Sequence, residues 1–307
     1  MTREERNTKK QKMIDYDNTK DKISFVIKKV LKITIILSCF AFIFFTYTTY
    51  ISTSKIVVRE YRITNEKIPE SFNGIKILQF SDLHYGSTMY EENLKEIKKL
   101  INERKPDLIL FTGDLIDNEF KSTKNQTEKL AKSLKELDAT LGKYAILGDE
   151  DKEEITTILN QSDFIILKNE SDLIYNENNE PILLVGLDSL LNKNQDLEAG
   201  YSYFKQESHN ANIYTITMVH EPDSVLNITN NYNTDLILAG HSHNGDIKVP
   251  IINFPIVQKK GALTYNNDYY KINDTDLYIS GGLGTNDFIG IRLFCRPSIS
   301  LYRLSNK

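Results

Sequence analysis

The stretch "DLILAGHSHNGD" (Asp235–Asp246) places two histidines, His241 and His243, directly after a short apolar run. The chain has five histidines in 307 residues, so two of them one residue apart call for a reason. The run "DLILA" has the length of a strand and is too short for a helix. The arrangement recurs along the chain. "ILQFSDLHYG" ends an apolar run with Asp82 and His84, "LILFTGDLID" with Asp114, "AILGDED" with Asp149 to Asp151, and "TMVHEPD" with His220. In α/β sheets ligands bind beyond the carboxyl ends of the strands, so these residues are expected to gather in one place.

Between those runs the pattern alternates. "IKILQF", "DLILF", "KYAIL", "DFIIL", "PILLVGL", "IYTITMV" and "LYIS" read as strands, as does "KIVVREYRIT" (Lys55 to Thr64) before them. "YEENLKEIKKLINER" carries Leu94, Ile97, Leu100 and Ile101 at helical spacing, and "EKLAKSLKELD" reads as a second helix. With no internal repeat and no low-complexity linker after residue 55, the expectation is one α/β domain over residues 54–307.

What precedes it is different in kind. From Ile33 to Ile51 the chain reads "ITIILSCFAFIFFTYTTYI", without a charge and long enough to cross a hydrocarbon core as a helix. A buried core helix would not be apolar on every side between flanking lysines. A cleaved signal peptide would not carry a 32-residue polar leader, and no small-x-small cleavage site follows the run. Residues 33–53 are therefore expected to anchor the chain in the cell membrane, with Tyr47 and Tyr50 at the far interface. Residues 1–32 hold ten Lys and Arg against five Asp and Glu, which predicts a basic cytoplasmic tail and an extracytoplasmic domain.

The remaining 275 residues hold 28 basic against 37 acidic groups. An acidic body of this kind does not suit a nucleic-acid partner. Two cysteines, Cys39 and Cys295, do not make a disulfide framework.

Carboxylates and imidazoles without thiolates suit Mn, Fe or Zn, and seven or eight such ligands are too many for one ion. Two divalent ions sharing a carboxylate fit better. Period-two spacing in extended backbone is expected to aim Asp82 with His84, and His241 with His243, the same way. Gly113, Gly148 and Gly240 each precede a ligand and let the backbone approach closely. His209, in "QESHNAN", is left over as a surface residue.

The ordered series D-x-H, G-D, G-D-E-D, H and G-H-x-H resembles the calcineurin-like metallophosphoesterases, and within them the bacterial membrane-anchored branch. "FSDLHYG", "GHSHNGDIKVP" and "GGLGTNDF" carry the likeness, which runs from about Val57 to Leu304. It implies a four-layer αββα sandwich with two mixed sheets face to face, preceded here by the transmembrane helix. By the same resemblance Asp82, His84, Asp114 and His243 hold one ion, and Asp114, Asp149, His220 and His241 the other, with Asp114 bridging. Manganese is the first expectation for both; zinc, iron and magnesium are alternatives.

One departure stands out. Where the family has G-N-H-D, this chain has Gly148, Asp149, Glu150 and Asp151. Asp149 can ligate in place of Asn with an added negative charge. Glu150 can replace the leaving-group acid only if it is protonated, so Asp149 and Glu150 are the candidate catalytic residues. The expected activity is metal-dependent hydrolysis, by an activated water, of a phosphodiester or pyrophosphate in an envelope or lipid-linked substrate. The alternatives are a phosphomonoesterase, or a catalytically weak metal-binding envelope protein that recognises a phosphorylated ligand.

Overall fold

The computed structural model describes residues 2–48, 55–206, 212–245, 248–249, 254–255, 259–285 and 292–307. The chain divides into two compact units, Met1–Tyr50 and Ile51–Lys307. In the first, one helix runs from Arg3 to Thr46, capped by Thr2, whose side chain accepts from the Glu5 N–H while the Glu5 carboxylate accepts from the Thr2 N–H. None of its residues is buried, and it contains a stretch apolar and long enough to cross a membrane. The basic leader is thus helical and continuous with the apolar run. Tyr47 is exposed, whereas Tyr50 and the end of the expected anchor lie outside the described residues, as do His209 and Asp246.

The second unit is built on two six-stranded sheets. The first is made by β1 (Val57–Thr64), β2 (Lys76–Phe80), β3 (Leu108–Thr112), β4 (Lys143–Ile146), β5 (Ile165–Ile166) and β14 (Ser298–Ser305), in the order β1-β14-β2-β3-β4-β5. The second is made by β6 (Glu170–Asn176), β7 (Asn178–Gly186), β8 (Thr215–Val219), β9 (Leu236–Ala239), β12 (Tyr269–Ile272) and β13 (Thr275–Ile279), in the order β12-β13-β9-β8-β7-β6. Strands β10 (Lys248–Val249) and β11 (Phe254–Pro255) form a small separate pair. In the first sheet β2, β3, β4 and β5 are parallel and β14 is antiparallel to β2; in the second β7, β8, β9 and β13 are parallel, with antiparallel edges β6 and β12.

Alternation along the strands decides the layers. On β3, Ile109 and Phe111 face a core shared with Leu94 and Ile97 of the helix Glu91–Arg104, Leu130 of the helix Lys124–Lys135, and Ile158 of the helix Glu153–Gln161. Leu108 and Leu110 point the other way, into a core shared with Leu184, Ile216, Met218, Leu236 and Leu238 of the second sheet. Beyond that sheet, Val185, Ile237 and Ala239 pack on Val225 and Ile228 of the helix Val225–Asn231. The result is the four-layer αββα sandwich, its central strands β2, β3, β8 and β9 burying both faces as parallel sheets do. Each of these aliphatic side chains contributes about 1.5–3 kcal/mol on leaving water.

Five strands were not apparent in the sequence: β6, β12 and β14 of the two sheets, and the short pair β10 and β11. The missed β14 matters most, because it completes the first sheet between β1 and β2. A buried polar side chain also joins the sheets close to their carboxyl ends. Gln79 donates to Thr112 Oγ1 (3.0 Å) and to the carbonyl of Ala239 in the opposite sheet (2.9 Å), and accepts from the Tyr302 hydroxyl (2.7 Å). Both ends of the amide are paired, as burial demands.

Candidate metal centre

The strands β2, β3, β4, β8 and β9 all deliver their carboxyl ends to the same edge of the sandwich. Beyond them, Asp82, His84 and His243 form one group of atoms lying within 4.8 Å of one another, and Asp114, Asp149, His220 and His241 form another. Asp114 Oδ2 lies 3.1 Å from His220 Nε2 and 3.7 Å from His84 Nε2, so a single carboxylate oxygen stands between the groups. All seven sequence-predicted ligands are thus brought together. Asp82, His84 and His220 are fully buried, while the Asp149 side chain keeps 23 % of its exposure and marks the open side.

The backbone reason for this convergence differs from the expected one. The strands stop at Phe80 and Ala239, before the ligands. Asp82 (φ 49°), His84 (41°), His241 (63°) and His243 (47°) are left-handed, not extended, and Asp114 (61°) joins them. Five of seven site residues therefore sit in a region costing about 1–3 kcal/mol each, the kind of strain that collects at functional sites when the surrounding fold over-determines it. Asp and His are among the residues that tolerate it best.

Tight loops supply that over-determination. A Cβ on Gly148 would lie 2.1 Å from Asp114 Oδ1, and one on Gly113, itself at φ +95°, would lie 2.5 Å from His220 Nδ1. The Asp151 carboxylate accepts from the N–H groups of Asp114 (2.8 Å), Leu115 (2.8 Å) and Gly148 (2.9 Å), clamping the loops after β3 and β4 to each other. Burial and repulsion from Asp114 push its carboxyl up to about 6, and those three N–H groups act in the opposite direction. The buried Glu221 accepts from Ser189 Oγ (2.5 Å) and the Leu190 N–H (3.0 Å), and Asn192 of that loop donates to the Asp149 carbonyl (3.0 Å). Sequence reasoning missed Glu221, although a charged residue directly after His220 at a strand end was a usable signal.

Hydrogen bonding decides which nitrogens face the site. His220 Nδ1 lies 2.7 Å from the Thr112 carbonyl and His241 Nε2 lies 2.6 Å from the Lys260 carbonyl. A carbonyl only accepts, so those nitrogens carry the protons. The opposite nitrogens, His220 Nε2 and His241 Nδ1, then present lone pairs to each other across 3.3 Å, with Asp149 Oδ1 at 3.2 and 3.1 Å. His84 Nε2 and His243 Nε2 face each other across 3.2 Å in the other group. In the neutral imidazoles, lone pairs placed as those of His220 and His241 repel unless a cation lies between them. Ligands about 2.0–2.2 Å from one ion are themselves about 3.0–3.5 Å apart, so the residues present fit divalent metals. The electrostatics agree with a cation site. Burial alone would lower the pKa of His220, yet the Asp114 and Asp149 carboxylates outweigh it and hold it well above the ordinary histidine value, so with no metal bound a proton takes the place at Nε2 that a metal ion would fill, and the lone pair is offered when a metal displaces it. Burial likewise works to raise the Asp149 carboxyl, but His220 and His241 bring it far below the carboxylate range.

A four-layer sandwich with histidines and carboxylates paired around a shared aspartate is the mark of a metal-dependent phosphoric ester hydrolase. Comparison with known proteins agrees. The chain belongs to the calcineurin-like phosphoesterase family, which it matches over residues 75–245. It is similar to the uncharacterized metallophosphoesterase YkuE of Bacillus subtilis (strain 168), 32 % identical over 265 residues covering 85 % of this chain and 89 % of YkuE. It is also similar to the phosphodiesterase YaeI of Escherichia coli (strain K12), at 28 % identity covering 75 % of this chain and 82 % of YaeI. The UDP-2,3-diacylglucosamine pyrophosphatase LpxG of Chlamydia muridarum (strain MoPn / Nigg) is 24 % identical, covering 77 % of this chain and 86 % of LpxG. The family is typically dependent on two metal ions, and the two ligand groups here match that requirement.

Proposed function

We propose that Asp82, His84, Asp114, Asp149, His220, His241 and His243 hold two divalent cations, manganese first, and that the chain hydrolyses a phosphodiester or pyrophosphate of envelope or lipid origin. The observation that carries this is the pair of facing imidazole nitrogens in each group, joined through Asp114 Oδ2. Support for the substrate class comes from the membrane-length helix and from the names of two relatives, a phosphodiesterase and a pyrophosphatase of a lipid-linked nucleotide.

Two cations at such a site lower the pKa of a water and neutralise charge as it builds on phosphorus. The protein's part is to hold the donors rigid. Thr112 and Lys260 lock two imidazoles in the tautomer that offers a lone pair, the left-handed loops fix the carboxylates, and the half-open Asp149 side leaves a way in for the phosphate. Preorganisation of this kind lets the site meet the transition-state charge without rearranging.

The full chain in detergent, assayed on bis-p-nitrophenyl phosphate and p-nitrophenyl phosphate with Mn, Zn or Mg, tests the reading. Faster metal-dependent hydrolysis of the diester is expected. A preference for the monoester would replace the diesterase reading with a phosphomonoesterase, and hydrolysis unaffected by a chelator would end the metal reading altogether.

We further propose that residues 33–53 anchor the chain, with the basic tail of residues 1–32 in the cytoplasm and the domain of residues 54–307 outside it. Protease added to intact cells should then remove the domain and spare the tail. A protected domain reverses the orientation and removes the ground for an envelope substrate.

A further inference from the structure

His84 differs from His220 and His241 in what stands behind it. Those two imidazoles turn one nitrogen to the site and give the other to a backbone carbonyl. His84 turns Nε2 toward His243 and Asp114, and a ring nitrogen of His84 lies in a second group of ligand-type atoms with carboxylate oxygens of Glu150 and Asp117, all within 4.8 Å of one another. The nearest is Glu150 Oε2, 3.5 Å from Nδ1. His84 is fully buried, the Glu150 side chain retains 15 % of its exposure, and among the described residues His84 Nδ1 makes no hydrogen bond, so Glu150 Oε2 is a near neighbour placed to accept its proton. Glu150 is itself held in place from the main chain, its N–H donating to Asp114 Oδ1 at 3.1 Å. Its backbone therefore steadies the shared aspartate while its carboxylate faces the rear of a different ligand.

We propose that Glu150 is a positioning residue for His84, its carboxylate accepting the Nδ1 proton so that Nε2 presents its lone pair to the group formed with Asp82 and His243. This rests on the reading of His84 as a cation ligand. A carboxylate behind a ligating imidazole fixes its tautomer and ring orientation and makes the ligating nitrogen a stronger donor. Thr112 and Lys260 do this for their histidines as neutral carbonyls, so the Asp82/His84/His243 group is the one in which a charged side chain stands behind a ligating imidazole. The replacement of the family's histidine by Glu150 then trades a group facing the phosphate for one that tightens a metal position. Asp117, the other carboxylate grouped with His84, accepts from the Glu119 N–H through Oδ1 (3.0 Å) and so has a partner of its own.

The test is titration of the metal-stripped full chain in detergent with Mn(II), followed by calorimetry and by the spin-resonance signal of bound manganese. Glu150→Gln keeps the shape and removes the acceptor charge. It should weaken one of the two binding steps by about 10–100-fold and leave the other in place. Asp117→Asn makes the same charge change beside the same imidazole and should leave both steps as they are. An equal loss in both variants would mean that net charge, not the contact with Glu150, sets the affinity, and the inference would fall. His84→Ala is the reference. If it leaves both steps unchanged, His84 is no ligand and the metal reading itself fails. If it weakens a step that Glu150→Gln does not, only the role of Glu150 fails.

Kinetics add a second arm. Excess Mn should return Glu150→Gln to near the parent rate on a p-nitrophenyl ester and on an alkyl ester alike. A deficit that persists at saturating metal and is larger for the alkyl ester would show that Glu150 protonates the leaving group instead. Thermal unfolding of each variant identifies any that has lost its fold, and Glu150→Asp, which keeps the charge on a shorter arm, should then show an intermediate loss of affinity in the same step.

Discussion

Asp114→Asn should purify with little or no bound metal and lose more than about 100-fold in rate, the upper end of what is lost when a supporting contact rather than a ligand is removed. The expectation follows from the position of one oxygen. Asp114 Oδ2 lies close to a nitrogen of each group, at 3.1 Å from His220 Nε2 and 3.7 Å from His84 Nε2, so its charge is placed to serve both cations. His241 belongs to one group only. His241→Ala should therefore weaken one position and leave the other loaded. Asparagine is the better probe at 114 because the residue is left-handed, and Asn, whose short polar side chain can hydrogen-bond locally, accepts that conformation better than Ala. It also keeps the backbone carbonyl that receives the N–H groups of Leu83 (2.8 Å) and His84 (3.2 Å). Elemental analysis of the purified variants decides the matter, and two ions at full occupancy in Asp114→Asn would end the shared-ligand reading.

The strands that carry the ligands were readable because each is an apolar run buried on both faces, as Leu108 to Phe111 is, bounded by a residue of conspicuous chemistry. The gathering of those residues followed from parallel topology. Its local geometry did not. Alternate spacing of Asp82 with His84, and of His241 with His243, suggested strands, whereas the structure uses alternate left-handed residues in loops. Periodicity reports which face a side chain takes only while the backbone stays regular. The strand β14 was hidden for a related reason. "SISLYRLS" sets polar residues among its apolar ones, and its partners, β1 and β2, lie more than 200 residues away in sequence, beyond any local signal. Asp151, Glu221 and Gln79 act by hydrogen bonds to segments distant in sequence, so their residue type could be noticed but not their task.

Arg292 is the extreme case, and its removal should have the largest effect on stability. The side chain is fully buried, and its guanidinium donates to the carbonyls of Gly281 (2.6 Å), Cys295 (3.5 Å) and Gly284. Those carbonyls hold a loop whose own N–H groups cover the site: Leu283 donates to the Ser81 and Asp82 carbonyls (both 3.1 Å) and Gly284 to the Asp82 carbonyl (2.7 Å). At Gly282 a Cβ would lie 3.0 Å from Asp82 Cβ and 3.3 Å from both His243 Cδ2 and Arg292 Nη2, so the loop presses on two ligands with no room for a side chain. Arg292→Leu leaves three carbonyls without this donor in a water-excluded place. Each such loss costs about 1–3 kcal/mol, so even with partial relaxation the total should reach about 3 kcal/mol. For a domain of this size that lowers the unfolding temperature by about 6–12 °C. Arg292→Lys should recover only part of it, because a single ammonium on a flexible stem cannot reproduce the planar fork that reaches several carbonyls together. The metal centre gives the more specific readout. Since among the described residues the loop bears on Asp82 and His243 and not on Asp149, His220 or His241, Arg292→Leu should weaken one cation position and spare the other. An unfolding temperature unchanged in Arg292→Leu, or an equal loss at both positions, would show that the arginine supports the fold in some other way than through this loop.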